Sequence, residues 1–246
     1  KKMILGLIPS RLNSSRLKEK PLLEIDKLPL IVHTLKRAML SKKLDKVIVC
    51  TDSEKIVDTV KKHGGEAVMT SPNHKNGTER IAEVAKNYKA KLIVDIQGDE
   101  PLVNPFDIDM VIDFHKENSH FDIVVPCVAT ENSSSPHVIK VIKTLGNKIL
   151  YFSRAQVPYV FRKIKPEFYF KDLSIISFHP DKLIEYSKLQ ESSLEATEGI
   201  ELNRALENDF NLGTLFLKSK TFSVDINEDL MKTIDLMPKD KIRKLY

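Results

Sequence analysis

The feature that most constrains the fold of this chain is an alternation of short apolar runs with longer amphipathic segments, up to about residue 130. Continuous apolar runs are typical of strands in a parallel sheet that helices cover on both faces. They predict strands at Met3–Ile8, Lys46–Cys50, Glu66–Met69, Lys91–Ile96 and Asp122–Val128. The amphipathic segments predict helices at Leu30–Leu40, Ser53–His63, Thr78–Tyr88 and Pro105–Glu117. The sequence therefore predicts an α/β fold with a mostly parallel central sheet.

Beyond about residue 130 the pattern predicts a smaller unit packed on the same sheet. Gly146 lies in a turn between two strand-like runs, which predicts a β-hairpin, and residues 158–166 predict an irregular loop. The predicted elements here are strands Val138–Lys143, Lys148–Phe152, Leu173–Phe178, Leu212–Leu217 and Thr221–Asp225, and helices Asp181–Leu189, Leu194–Asn208 and Asn227–Leu236. Because no linker or repeat appears, we expect one domain, with a core of residues 1–130 and 212–246 and an insertion of residues 131–211.

A basic run, Pro9 to Pro21, directly follows the first predicted strand. Its charged and hydroxyl side chains are Arg11, Ser14, Ser15, Arg16, Lys18, Glu19 and Lys20. Fixed cations and hydrogen-bond donors at the carboxyl end of a strand suit a polyphosphate, because ligands of open α/β sheets bind at that edge. The run lacks the glycines of a P-loop or of a dinucleotide-binding fingerprint. A solvated basic loop is the structural alternative.

An acidic run, Gln97 to Pro101, follows the strand predicted at Lys91–Ile96. Asp99 lies beside a strand end, and Mg²⁺ usually takes one or two carboxylates together with phosphate oxygens and water. Asp225, after apolar Val224, is a plausible second ligand from the far end of the chain. Each aspartate has an alternative interpretation as the cap of the helix that follows it.

Three further segments carry candidate binding residues. Asn76 to Arg80 combines a turn with a helix start and directs Arg80 toward a substrate anion, and Ser153-Arg154 adds a cation after another strand. Acidic residues then recur along a predicted helix at Glu195, Glu198 and Glu201. This spacing places them on one slanting face, for which a solvated helix surface is the alternative.

Composition excludes several classes of function. The formal charge of +5 comes from lysines scattered among acids, which supports an anionic metabolite better than a nucleic acid. The seven histidines have no metal-ligand spacing, and no nucleophile elbow occurs. Cys50 and Cys127 lie in apolar runs and predict buried thiols in a reducing compartment. No apolar stretch is long enough to span a membrane, and we expect a cytoplasmic protein with no membrane partner.

In their order and spacing, these segments resemble the 3-deoxy-manno-octulosonate cytidylyltransferase (CMP-Kdo synthetase) family over nearly the whole chain. The matching segments are Ile8-Pro9-Ser10-Arg11, Ser15-Arg16-Leu17, Lys20-Pro21-Leu22, Pro29 to His33, Met69-Thr70, His74, Gly77 to Arg80, Gln97 to Pro101, Lys140-Val141, Tyr151 to Ala155, the series Glu195, Glu198, Glu201 and Arg204, and Val224-Asp225. The resemblance implies a Rossmann-like nucleotidyltransferase fold and a homodimer built on the insertion. It also implies Mg²⁺-dependent transfer of CMP from CTP to the anomeric hydroxyl of a sugar acid, with release of pyrophosphate.

The resemblance also implies roles for individual residues. It places the phosphate-binding loop on Arg11, Ser15, Arg16 and Lys20, the metal aspartates on Asp99 and Asp225, and the sugar-acid contacts on Gln97, Arg154, Glu195 and Glu198. We expect Arg11, Arg16 and Lys20 to hold the leaving phosphates while Asp99 holds the metal. On this interpretation, residues 1–130 and 212–246 bind CTP, and residues 131–211 serve sugar binding and dimerisation.

The chain departs from the family pattern at two places. Where members typically have His-Leu-Gly-Ile-Tyr, residues 172–176 read Asp-Leu-Ser-Ile-Ile, and the closing Val-Asp-Thr becomes Val224-Asp225-Ile226. A carboxylate at Asp172 would disfavour a doubly anionic acceptor or pair with an amine. Three alternatives therefore stay open: a sibling cytidylyltransferase for an amino-substituted octulosonate, another sugar acid or another small anion; a catalytically silent nucleotide-binding module; and a nucleic-acid binder.

Overall fold

The computed structural model describes residues 2–13, 16–162 and 169–246. In these ranges the strands are β1 (Met3–Ser10), β2 (Glu24–Ile25), β3 (Leu28–Pro29), β4 (Lys46–Thr51), β5 (Glu66–Met69), β6 (Ala90–Ile96), β7 (Ile123–Val124), β8 (Cys127–Thr130), β9 (Lys140–Lys143), β10 (Ile149–Ser153), β11 (Tyr169–Asp172), β12 (Ile175–Phe178), β13 (Leu212–Gly213) and β14 (Phe216–Leu217). The helices are α1 (Leu30–Met39), α2 (Glu54–Lys62), α3 (Gly77–Ala85), α4 (Pro105–Glu117), α5 (Pro180–Tyr186), α6 (Ser193–Glu198), α7 (Asn203–Glu207) and α8 (Asn227–Leu236). Short 3₁₀ helices cover Lys20–Leu22, Met237–Lys239 and Ile242–Leu245.

The central sheet has the strand order β13-β7-β12-β6-β1-β4-β5 within the described ranges. Its pairs are parallel except at β12, which runs antiparallel to both neighbours. Side chains of a strand alternate between the two faces: Leu5 and Leu7 pack with α3 and α5, whereas Ile4 and Ile8 pack with α1, α2 and α4. The predicted α/β fold, with a mostly parallel sheet covered on both faces, is confirmed.

A second sheet, in the order β10-β9-β11-β8-β14, packs beside the first, and the chain crosses between the sheets where we had predicted single strands. The run Asp122–Val128 forms β7 in the central sheet and β8 in the second, because Pro126 has no N–H to donate to a ladder. Leu212–Leu217 breaks in the same way into β13 and β14, which are the parallel partners of β7 and β8. Both single-strand predictions were wrong.

Three other predictions differ from the structure. The strand predicted at Leu173–Phe178 begins at Ile175, and the preceding β11, which was not predicted, belongs to the second sheet. The helix predicted at Leu194–Asn208 is interrupted at Gly199, which ends α6 in a left-handed conformation with φ 60°. Thr221–Asp225, all of it described, is irregular and forms no strand.

The insertion is interleaved with the core. β12 comes from the 131–211 segment yet lies in the central sheet between β7 and β6, so the division into core and insertion stays a prediction. Residues 158–162 are irregular, as predicted for that loop, and its remaining residues 163–166 lie outside the described ranges. None of the helices seen in the described ranges is both long and apolar enough to cross a bilayer.

Candidate active site

A cavity of about 350 Å³ opens at the carboxyl ends of β1 and β6. We call it the charged cleft; it is lined by Pro9, Ser10, Arg11, Arg16, Lys20, Pro21, Leu30, His74, Lys75, Asn76, Gly77, Arg80, Gln97, Gly98, Asp99 and Asp225. The basic run and the acidic run thus share one cavity. Adjacent parallel strands end at the same edge of a sheet, and β1 pairs directly with β6. Ser15, also predicted for this loop, lies outside the described residues.

Gly98 allows the two runs to approach each other closely. A Cβ atom at this position would lie 2.6 Å from the backbone oxygen of Pro9, which is shorter than van der Waals contact permits. Only glycine therefore lets the turn after β6 pack against the end of β1. This contact brings Asp99 next to the basic loop.

Lys20 lies between the two aspartates predicted as metal ligands. Its Nζ donates to Asp99 Oδ2 at 2.7 Å and lies 3.7 Å from Asp225 Oδ1. Arg16 reaches the same oxygen of Asp225 at 3.3 Å. The Lys20 side chain is only 14% exposed, so its charge is held in place. Two carboxylates that converge on one cation form an oxygen donor set that suits Mg²⁺ together with phosphate oxygens.

In the described ranges, no group of three or more His, Cys, Asp or Glu side chains surrounds a common metal position. A metal at Asp99 and Asp225 would therefore need ligands from a substrate or from water. Mg²⁺ typically keeps several waters and substrate oxygens in its coordination shell. The donor set fits a metal that arrives with a nucleotide better than a structural ion held by protein alone.

Arg80 borders the charged cleft but is held by protein partners. Its Nη2 contacts Asp52 Oδ2 at 2.9 Å, and its Nη1 donates to Thr70 Oγ1 at 2.6 Å and to Ser71 O at 3.3 Å. The side chain is 4% exposed. This network braces α3 against the loops after β4 and β5. Sequence reasoning missed Asp52, although it follows β4 much as Asp99 follows β6.

Gln97 lines the charged cleft and is oriented by a buried acid. Its Nε2 donates to Asp95 Oδ2 at 2.9 Å, so its amide oxygen is the atom left to accept a hydrogen bond from a ligand. Burial, and then the charge of nearby Glu201, raise the pKa of Asp95 well above its usual range. The sequence signal for Asp95 was available, since it is the one charged residue in the apolar run Leu92 to Ile96.

Arg154 lies at the end of β10, outside the residues that line the charged cleft. Its three guanidinium nitrogens donate to backbone oxygens of Glu198 at 2.6 Å, Pro136 at 2.8 Å and Gly199 at 3.1 Å. Lys140, which is fully buried, donates to the backbone oxygen of Arg154 at 2.6 Å. Arg154 therefore joins β10 to the end of α6 and to the loop before β9.

Glu198 completes this group, which we call the β10–α6 cluster (Tyr151, Ser153, Arg154 and Glu198). Its carboxylate accepts from the Tyr151 hydroxyl at 3.2 Å, the Ser153 hydroxyl at 2.8 Å and the Arg154 backbone N–H at 2.8 Å. Burial alone would raise the pKa of Glu198, but these hydrogen bonds outweigh it and lower the pKa. The carboxylate is thus kept ionised beside Arg154.

Glu195 was predicted with Glu198 as a sugar contact, and the structure gives it other partners. Both of its oxygens pair with the Arg204 guanidinium at 2.6 Å, and its side chain also forms a capping box with Ser192 at the start of α6. The pair is buried. Glu195 is thereby placed among α6 and α7 rather than among the lining residues of the charged cleft.

Asp172, at the end of β11, lies within electrostatic reach of the β10–α6 cluster. Burial raises its pKa to about 6, although the positive charges of Lys171 and Arg154 oppose this shift. Asp172 is absent from the lining of the charged cleft. The departure from the family pattern therefore bears on the neighbourhood of Arg154 rather than on the triphosphate region.

Comparisons with known proteins agree with this arrangement. The family model described as cytidylyltransferase matches residues 5–220. Curated 3-deoxy-manno-octulosonate cytidylyltransferases are similar along almost their whole length: that of Chlorobaculum parvum is 37% identical over 98% of this chain and 96% of its own, and that of Fusobacterium nucleatum 38% over 97% and 98%. A solved CMP:2-keto-3-deoxy-manno-octonic acid synthetase, complexed with CTP, superposes with a TM-score of 0.93 at 32% identity and covers 97% of this chain and 99% of its own.

The fold and the charged cleft, taken with these matches, define a cytidylyltransferase, an enzyme of the nucleotidyltransferase class. Within that class the chain belongs to the 3-deoxy-manno-octulosonate cytidylyltransferase family. The family resemblance found in the sequence is confirmed.

Proposed function

We propose that this enzyme transfers CMP from CTP to the anomeric hydroxyl of a 3-deoxy-manno-octulosonate-type sugar acid and releases pyrophosphate. The observation that carries the proposal is the position of Lys20, whose ammonium group contacts Asp99 at 2.7 Å and lies 3.7 Å from Asp225 in a cleft lined by further cations. Nucleotidyl transfer needs this combination of carboxylates for a metal and fixed cations for phosphates. The relatives named above support the same reaction.

Asp99 and Asp225 would hold Mg²⁺, since their oxygens already converge on one cation. Bound there, Mg²⁺ supplies Lewis-acid neutralisation of charge that develops on phosphate oxygens. Arg16 and Lys20, which pair with these aspartates in the free protein, then have positive charge available for a nucleotide. We propose that binding of CTP exchanges the aspartates for phosphate oxygens as partners of these two side chains.

The protein contributes mainly positioning and charge complementarity. Arg11, Arg16 and Lys20 hold the β- and γ-phosphates and stabilise the leaving pyrophosphate. The acceptor hydroxyl oxygen forms a bond to the α-phosphorus as the bond from that phosphorus to the pyrophosphate oxygen breaks, and the hydroxyl proton is released. Arg80 acts on this arrangement by bracing α3, whose first residues border the charged cleft.

The acceptor would occupy the region between Gln97 and the β10–α6 cluster. The Gln97 amide oxygen accepts from an acceptor hydroxyl, because the amide nitrogen is already engaged by Asp95. Arg154 supplies the positive charge for an acidic acceptor, and Asp172 lies within its electrostatic reach. The identity of the acceptor is therefore decided largely by the second sheet and by α6.

The deciding experiment measures CTP-dependent pyrophosphate release with a panel of acceptors: 3-deoxy-manno-octulosonate, its 8-amino derivative, other sugar acids and small carboxylic acids. We expect the first of these to give the highest kcat/KM. Preference for the amino-substituted acid would replace our acceptor with its sibling. CTP binding without pyrophosphate release from any acceptor would contradict an enzymatic role.

We further propose a homodimer, a division into core and insertion, and a cytoplasmic location. The second sheet and its loops expose large apolar side chains: Leu145, Leu150, Tyr159, Phe161 and Phe216. A contact between copies would bury such surface. Sedimentation equilibrium tests the dimer, and Leu150→Glu is expected to shift it toward monomer. A reducing compartment fits the two buried thiols, Cys50 and Cys127.

A further inference from the structure

Asp225 lies in a stretch of chain without regular structure, between β14 and α8. Asp99, by contrast, follows a central strand of the main sheet directly. The separation between these two carboxylates therefore depends on how the irregular segment is attached to the turn after β6. Helix α8 supplies one attachment, because Asp229 Oδ2 accepts from the Asp225 N–H at 3.0 Å. This bond fixes Asp225 to its own helix but not to Asp99.

Contacts across the cleft supply the missing attachment. The Ser223 hydroxyl donates to Glu100 Oε1 at 2.6 Å, between residues 123 positions apart in the chain. The Val224 N–H donates to the backbone oxygen of Asp99 at 2.9 Å. Both residues that precede Asp225 are thus bonded to Asp99 or to the residue after it.

Burial makes the bond between Ser223 and Glu100 specific. Glu100 is 4% exposed, whereas an acid with no structural duty would face solvent. Val224 is fully buried and packs with Ile25, Leu30 and Met237 beneath the cleft. Replacement of the Ser223 hydroxyl would leave an acceptor oxygen of a buried carboxyl group without this donor, at a cost that favours local rearrangement.

We propose that Glu100 and Ser223 are positioning residues that set the separation between the Asp99 and Asp225 carboxylates, and so the affinity of the site for a divalent cation. This inference rests on the metal role of the two aspartates in the proposed function. Neither Glu100 nor Ser223 lines the charged cleft. They act through Asp225, as residues outside the coordination shell orient the ligands of many metal sites.

The test is a binding measurement, because turnover alone would not separate positioning from chemistry. The affinity of CTP is measured by calorimetry without acceptor, once in EDTA and once with saturating Mg²⁺, and the ratio of the two affinities reports metal coupling. We expect Ser223→Ala to lower this ratio about 10- to 100-fold, the range typical for loss of a residue that orients a metal ligand. CTP affinity in EDTA is expected to stay within about twofold of wild type, because the phosphate-binding cations are untouched.

Three further variants make the result decisive. Ser223→Thr retains the hydroxyl and is expected to keep the wild-type ratio. Ser187→Ala removes a hydroxyl that bonds to Ile184 in α5, outside the charged cleft, and should also leave it unchanged. Asp99→Asn is expected to abolish the coupling. A wild-type ratio in Ser223→Ala with loss in Asp99→Asn would overturn the positioning role alone, and a wild-type ratio in both would overturn the metal role and this inference with it.

Discussion

Lys20 and Asp99, 79 positions apart in the chain, form a 2.7 Å ion pair at the centre of the charged cleft. The pair joins the loop after β1 to the turn after β6, and its lysine also donates to the Val224 backbone oxygen at 2.9 Å. The side chains are 14% and 29% exposed, so solvent screens the pair incompletely. One ammonium group therefore balances the carboxylates of the free enzyme and lies where the phosphates of a nucleotide would be bound.

Replacement of Asp99 by Asn tests the metal role in turnover. We expect kcat to fall about a hundredfold or more, because a Lewis-acid metal supplies several kcal/mol of transition-state stabilisation. The melting temperature should stay close to that of wild type, since the amide can still accept from Lys20. Pyrophosphate release and thermal unfolding are the measurements, with exposed Asp58→Asn in α2 as control. Near-normal turnover in a folded Asp99→Asn enzyme would exclude this role.

Replacement of Lys20 by Ala tests the phosphate-binding role. Loss of one charge-assisted hydrogen bond, worth about 1.5–3 kcal/mol, should lower kcat/KM for CTP about 10- to 150-fold. The KM for the acceptor should change little, since Lys20 contacts the metal and phosphate region. Steady-state kinetics at saturating Mg²⁺ check this, and Lys18→Ala, an exposed neighbour, is the matched control. Equal effects of both substitutions would assign the change to general charge.

The parts of the fold predicted from sequence are those set by local pattern. Apolar runs such as Leu92 to Ile96 and amphipathic segments such as Pro105–Glu117 gave the central elements within a few residues. Two breaks had readable signals that were not used: Pro126 separates β7 from β8, and Gly199 ends α6. The crossing between sheets at Asp172 to Ile175 had none, because which sheet a strand joins depends on its tertiary partners.

The candidate site divides in the same way. The strand ends and their charges were visible in the sequence, so the meeting of Arg16 and Asp99 in one cavity could be anticipated. Partner choice was not visible, because it joins residues distant in the chain. Arg80 was expected to face a substrate anion, yet it pairs with Asp52 at 2.9 Å.

Arg80→Met distinguishes bracing from substrate binding. Removal of the guanidinium leaves the Asp52 carboxylate, 19% exposed, without its partner, and the free energy of unfolding should fall by about 3 kcal/mol. Asp52→Asn in the same chain should restore part of that loss, since the uncompensated charge is then absent. Urea unfolding of the single and double variants gives the coupling. An unchanged unfolding free energy with a raised KM for CTP would favour direct substrate contact.

Asp172→Asn tests whether the buried carboxyl near Arg154 imposes a pH-dependent cost. The pKa of Asp172 in the folded protein, about 6, lies above the unfolded value of about 3.9. The folded state therefore binds the proton more tightly, so the stability that Asp172 contributes is greatest at low pH and is lost as the pH rises from about 4 through 6. The variant has no such loss. Relative to wild type, its folding equilibrium constant should rise between pH 4.5 and pH 8 by at most about a hundredfold, since each pKa unit is a factor of ten. Urea unfolding at the two pH values measures the difference, and Asp58→Asn supplies the exposed reference. A difference between variant and wild type that does not change with pH would show that Asp172 keeps an ordinary pKa and is solvated.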